Sequence, residues 1–114
     1  MDSLEDYFYG NDSLRRAALK PIWEDIKAKL DTVPVTVSDV VDHIDYIVKL
    51  VGPDYVGLGS DWDGVFAMPD GLDDCSQVPN ITKELVARGY TDEDIRKILG
   101  GNFMRVFKQV CGEA

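Results

Sequence analysis

The chain has 114 residues, 45% of them hydrophobic, with 21 acidic against 12 basic side chains and a formal net charge of −9. That balance excludes a nucleic-acid binder, which needs Lys and Arg to displace counterions from phosphates, and it excludes a basic membrane-surface helix. No apolar stretch approaches the ~20 residues of a membrane span, and Met1 to Asp6 has neither the basic nor the apolar region of a signal peptide.

The first ten residues, acidic and aromatic, read as a loop or arm. Asn11 or Asp12 then caps a helix carrying Leu14, Ala18, Ile22, Ile26 and Leu30 at four-residue spacing, which Pro21 should kink or divide. Trp23 is expected as a core or interface anchor. The next helix is the clearest element. Thr36 is a plausible N-cap with Asp39 three residues on, and Val37, Val40, Val41, Ile44, Ile47, Val48 and Val51 form one apolar stripe. Gly52 and Pro53 stop it. His43, the only histidine, lies beside that stripe and reads as a structural residue at its edge; one histidine builds no two-His metal site. Cys75 and Cys111 have neither a metal spacing nor a disulfide framework and are expected as free thiols.

After a Pro-Asp link, Tyr55 to Ser60 has the length and composition of a strand buried on both faces, and it breaks into Asp61, Trp62, Asp63 and Gly64. A helix, a short link and such a strand make the α-to-β half of a βαβ unit, and α/β proteins bind ligands outside the carboxyl ends of their strands. The rest of the chain reads as helical, so this strand has no partner in its own sequence. Unpaired buried backbone groups cost about 1–3 kcal/mol each, so residues 1–114 read as a single partial domain of something larger.

The loop from Trp62 to Gln77 is rich in Asp, Gly and Pro, and its cluster of Asp70, Asp73 and Asp74 is expected to be solvated or capping. Pro79 suits the first turn of a helix with Ile81, Leu85 and Val86 facing inward until Gly89. Thr91 and Asp94 open a short helix through Ile95, Ile98 and Leu99. Gly100 and Gly101 interrupt, and Asn102 is expected to cap a last helix with Phe103, Val106, Phe107 and Val110.

Two readings of Asp61 stand on its position: a carboxylate fixed at a strand end for proton transfer, or a turn cap bonding backbone N–H groups. Asp63, just before Gly64, fits an Asx-type bond that holds the loop. A calcium loop starting at Asp61 fails, because its sixth and twelfth positions hold Phe66 and Leu72. Gly57 and Gly59 make no nucleotide loop, since the third glycine position is Trp62 and no helix follows directly.

The run Asp39 to Gly64, the segment Pro69 to Ser76 and the block Arg88 to Phe107, with its Leu99-Gly-Gly-Asn102, together resemble the C-terminal part of the membrane (renal) dipeptidase family, the M19 metallopeptidases. The likeness runs from about Thr36 to Val110, with residues 1–35 a variable excursion. The resemblance implies an α/β fold: a (β/α)8 TIM barrel of the amidohydrolase superfamily, of which this mostly helical chain supplies roughly the final third and one barrel strand, Tyr55 to Ser60. It implies hydrolysis of dipeptides at a dinuclear zinc centre whose His, Asp and Glu ligands come from strands outside this chain, so no metal ligand is assigned here. By the same resemblance Asp61 faces the zinc pair, contacts the bound dipeptide and shuttles the proton, making it both the catalytic and the substrate-binding residue. The acidic loop would overhang the barrel mouth. Trp62 stands where Phe is common in the family, Tyr46 replaces a frequent second His, and Val78 replaces an aromatic residue. The alternative is a non-catalytic, acidic α-helical interaction module derived from the barrel, self-associating through exposed apolar faces.

Overall fold

The computed structural model describes residues 12–30, 32–65 and 67–112. The chain divides into two compact units, one up to Pro34 and one from Val35 onward.

The first unit is helix α1, Asp12–Leu30. Asn11 and the Asp12 side chain, the two expected caps, lie outside the described residues. Pro21 sits inside the helix without dividing it. A proline at this position removes one backbone donor, and the flanking turns carry the helix through. Leu14, Ile22, Trp23 and Leu30 are all about half exposed, so Trp23 is no core anchor within its own unit. The surface carries an i,i+4 ion pair in which Lys29 Nζ lies 2.7 Å from Asp25.

The second unit begins with helix α2, Val37–Val51. Its start follows the expected capping box: the Asp39 carboxylate accepts from the Thr36 backbone N–H at 2.8 Å and from its hydroxyl at 3.1 Å. Those two bonds hold the Asp39 carboxyl below its ordinary pKa. The apolar stripe narrows in the fold to buried Val41 and Ile44, with Val37, Val40 and Val48 packed alongside, while Ile47 and Val51 are exposed. His43 is also exposed, which corrects the expectation of a histidine packed at the stripe's edge: its position turns it to solvent. Gly52 ends the helix and a single 3₁₀ turn, Pro53–Tyr55, follows.

The expected strand does not form. Val56 is extended, with φ −112° and ψ 137°, but the segment to Ser60 has no ladder partner among the described residues, and Tyr55 belongs to the turn and is exposed. A strand exists only through pairing, and the described residues offer no neighbour. The single β-bridge described is a parallel one between Thr36 and Asp70, with Asp70 N–H donating to Val35 O at 2.7 Å.

Helix α3, Pro79–Ala87, has proline in its first turn and buries Ile81 and Leu85; Val86, expected inward, is exposed. Helix α4, Asp92–Arg96, is capped by the Thr91 hydroxyl, which accepts from Asp94 N–H at 3.2 Å. A wide turn, Lys97–Gly101, leads into helix α5, Asn102–Cys111. The core joins Val41 and Ile44 of α2 to Val56, Leu72, Ile81, Leu85, Ile95 and Ile98.

Arg88, just past α3, ties that helix to α2. Its guanidinium donates to Asp42 at 2.7 Å, Asp45 at 2.6 Å, Glu84 at 2.9 Å and the Ser38 carbonyl at 2.9 Å. These partners raise its pKa, Asp45 most of all. The Tyr90 hydroxyl also donates to Asp45, and that bond is the main cause of the lowered Asp45 pKa. Burial first, then Asp45, pushes Tyr90 up to about 12. One face stays uncovered: Phe103, Met104, Val106, Phe107 and Val110 of α5 are all largely exposed. Among the described residues no helix is long and apolar enough to cross a membrane.

Candidate active site at the end of the extended segment

The segment leaving α2 is fixed at its start by a residue that local sequence assigned elsewhere. Asn102 was expected to cap α5; instead it is buried, and its amide Nδ2 donates to Pro53 O at 2.7 Å and Val56 O at 2.9 Å. Its Oδ1 accepts from Arg105 at 3.0 Å, and the other end of that guanidinium donates to Asp54 O at 2.7 Å. Lys97 Nζ stands 2.9 Å from Asp54 Oδ1 and holds that carboxyl below its ordinary pKa. Two carbonyls of the α2-to-segment junction are thereby satisfied by one side chain, a tighter requirement than helix capping.

At the next residue, Gly57, any side chain would force the Phe103 ring to shift. A Cβ there would stand 2.2 Å from the Phe103 ring, so the ring packs directly on the backbone. Val56 is buried and Leu58 half-buried, whereas Gly57, Gly59 and Ser60 are exposed, so one side of the segment faces the core and the other is open.

Asp61 is where the segment bends. Its φ of 52° makes it the only non-glycine residue at positive φ among the described residues, a left-handed position that Asp tolerates better than most side chains. Its carbonyl accepts from Gly64 N–H at 2.9 Å and closes the turn. The exposed carboxylate folds back over that turn, with both oxygens 2.6 Å from where a Cβ on Gly64 would lie. It bonds no backbone N–H among the described residues, so it does not serve as a turn cap.

Asp63 departs from expectation. It is exposed and its carboxylate makes no hydrogen bond to another described residue, so the Asx-type bond is not formed. What ties the loop down is Trp62, whose indole Nε1 donates to Leu72 O at 2.9 Å, reaching ten residues on to a buried core position. Beside the turn lies an apolar cleft of about 420 Å³, lined by Val40, Leu58, Ser60, Trp62, Met68 and Leu72 among others.

The acidic loop does cap itself. Asp74 accepts from Ser76 N–H at 2.8 Å and from the Ser76 hydroxyl, bonds that lower its pKa, while Asn80 Nδ2 donates to Gly71 O at 2.8 Å. Cys75 and Cys111 are free and exposed. Among the described residues no three His, Cys, Asp or Glu side chains stand together as a metal site. With His43 alone on an exposed helix face, these residues do not fit a zinc centre of their own.

The family model of membrane dipeptidases, peptidase family M19, matches residues 16–113. Dipeptidase ataJ of Aspergillus terreus is 48% identical over 86 residues, covering 75% of this chain and 21% of that relative. Dipeptidase aclJ of Aspergillus oryzae is 37% identical over 109 residues, 96% of this chain and 25% of the relative. Human Dipeptidase 3 is 40% identical over 74 residues, 65% of this chain and 15% of its own length. The crystal structure of the probable dipeptidase PvdM from Pseudomonas aeruginosa superposes with a TM-score of 0.65 at 44% identity, covering 71% of this chain and 20% of that one. The chain spans between 15% and 25% of the length of these proteins, and it belongs to the membrane dipeptidase family, peptidase family M19.

Proposed function

We propose that this chain is the part of a (β/α)8-barrel, zinc-dependent dipeptidase that supplies the last barrel strand and, at its end, the proton-carrying Asp61. One observation carries the reading: Asp61 sits at a left-handed backbone position at the end of the extended segment, yet its carboxylate is exposed and bonded to no backbone donor among the described residues. A carboxylate used for capping would have its lone pairs committed; this one has them available to a substrate. In a barrel, the backbone N–H and C=O groups of residues 57–60, which have no ladder partner among the described residues, would find neighbouring strands.

The proton path follows from that placement. A water attacking the scissile carbonyl of a bound dipeptide gives up a proton to Asp61 Oδ. As the C–N bond breaks, the same oxygen returns the proton to the departing amine nitrogen, so the carboxylate ends as it began. This requires Asp61 within hydrogen-bond reach of both water and nitrogen, hence its contact with substrate. The zinc ligands belong, by the family resemblance, to strands outside this chain.

Replacing Asp61 by Asn in the complete protein keeps size and polarity but abolishes proton acceptance. Its kcat for dipeptides should fall by about 10²–10⁴ while bound zinc and thermal stability stay unchanged. Turnover close to the parent's overturns the assignment. The isolated 114-residue chain should bind no zinc tightly and hydrolyse no dipeptide; a monomer that does both contradicts the partial-barrel reading.

A second reading, a non-catalytic interaction module that self-associates, is favoured by one feature: the apolar α5 face, where Phe103 is 61% and Val110 78% exposed. It requires concentration-dependent oligomers together with a parent protein whose turnover does not depend on Asp61.

A further inference from the structure

The Asp61 carboxylate occupies space that nearly any side chain at position 64 would take. Both its oxygens lie 2.6 Å, and its carboxyl carbon 2.8 Å, from the point where a Cβ on Gly64 would stand. Gly64 is not at positive φ, so an alanine could adopt its backbone without strain. The glycine is therefore not explained by conformation. The turn bond from Gly64 N–H to Asp61 O also survives any side chain, since it uses only backbone atoms. What glycine supplies at this position is room.

We infer that Gly64 is a positioning residue for Asp61: its bare Cα leaves the room in which the carboxylate folds over the turn, a placement that a side chain at position 64 would push it out of. This rests on the proton-carrying role proposed above for Asp61, and it adds the residue that sets the geometry of that role. The magnitude is decisive. Relief of a 2.6 Å approach to an ordinary separation of 3.4 Å requires the oxygens to retreat by about 0.8 Å. The displaced atoms are the far end of a flexible, exposed side chain, so the retreat costs the fold little. For a reacting group it is large, because a misplacement of about 1 Å can lower a rate about 10²-fold.

The test pairs Gly64→Ala with Asp61→Asn. In the complete protein, Gly64→Ala should lower kcat by about 10²-fold with KM and thermal midpoint close to the parent's, a split that a merely structural glycine would not produce. In the 114-residue chain, the ¹³C resonance of the Asp61 carboxyl carbon should be displaced in Gly64→Ala while the Trp62 indole N–H resonance, which reports the bond to Leu72, stays in place. If Asp61→Asn is inactive but Gly64→Ala turns over like the parent, the positioning inference falls and the proposed function stands. If Asp61→Asn retains activity, the proposed function falls, and the carboxyl resonance then decides the geometry alone: unmoved, it overturns the inference; displaced, it upholds Gly64 as the residue that aims Asp61. A Gly64→Ala protein that loses its fold or its Trp62 resonance overturns it as well, since the inference requires the displacement to be confined to the carboxylate.

Discussion

The two ends of the extended segment are built to opposite specifications. At its start, the carbonyls of Pro53, Asp54 and Val56 are each taken by a side chain from α5, and Lys97 meets the Asp54 carboxylate. At its far end, the turn from Asp61 to Gly64 has one internal backbone bond and one indole tether, and both its carboxylates are left to solvent. The first end is over-determined. The second is lightly held and keeps two exposed carboxylates without hydrogen-bond partners among the described residues. A scaffold that fixes the entry of a segment can leave its exit polar and unsatisfied, because exposed carboxylates are hydrated and cost little, whereas buried carbonyls must be paired.

The contrast breaks most easily at Asn102. Asn102→Ala leaves the buried Val56 O and the part-buried Pro53 O without this donor, each at a cost of about 1–3 kcal/mol, and removes one of the two acceptors of Arg105. A loss of about 2–4 kcal/mol is expected in urea unfolding of the chain, the largest effect of the set. If Asn102→Ala costs no more than an exposed substitution, the start of the segment is not held as described.

What was legible in the sequence follows the reach of each interaction. The capping box at Thr36, the Thr91 hydroxyl cap, the proline at the start of α3 and the part of the α2 stripe around Val41 and Ile44 depend on residues three to seven apart, and the structure has them. A Gly-Gly-Asn run beside an apolar helix carries the local signature of a cap, whereas the partners Asn102 binds lie 46 and 49 residues away. The contacts of Arg88 to Asp42 and Asp45 span 46 and 43 residues and leave no local signature at all. The strand was misjudged for a different reason: composition marks a segment fit for a sheet, but only a neighbouring strand makes it one. Asp61 was legible as a carboxylate at the end of that segment; its left-handed backbone and its approach to Gly64 were not.

A smaller and pH-dependent effect is expected away from the segment, where Tyr90 and Arg88 converge on Asp45. Asp45 has its folded pKa lowered, chiefly by the Tyr90 bond, so its contribution is present above the unfolded carboxylate value near 3.8 and is lost as pH falls through the folded pKa. Tyr90 has its folded pKa raised from 10.0 to about 12, so its contribution is full below pH 10 and disappears as pH climbs from 10 towards 12. Tyr90→Phe should cost about 1–2 kcal/mol at neutral pH and remove the decline between pH 10 and 12. Thermal unfolding of parent and variant across that range checks both, and a decline that persists in the phenylalanine variant assigns it to another group. Tyr90→Phe should leave the turn at Asp61 unaltered.

The smallest effect sharpens the comparison within the turn itself. Asp61 and Asp63 are two residues apart, both exposed and both with carboxylates that make no hydrogen bond among the described residues, yet only Asp61 sits at a left-handed backbone position with its carboxylate against Gly64. A role for Asp63 in holding the loop would need an Asx-type bond, and that bond is absent; the tether belongs to Trp62. Asp63→Ala should therefore change stability by less than about 0.5 kcal/mol, the range of an ordinary surface substitution, and leave dipeptide turnover of the complete protein within a few-fold of the parent. Parallel kinetics and unfolding on Asp63→Ala and Asp61→Asn read the difference directly. A folded Asp63→Ala protein with turnover as low as that of Asp61→Asn would mean that the two carboxylates act as a pair, since removing either member of a coupled pair costs nearly as much as removing both.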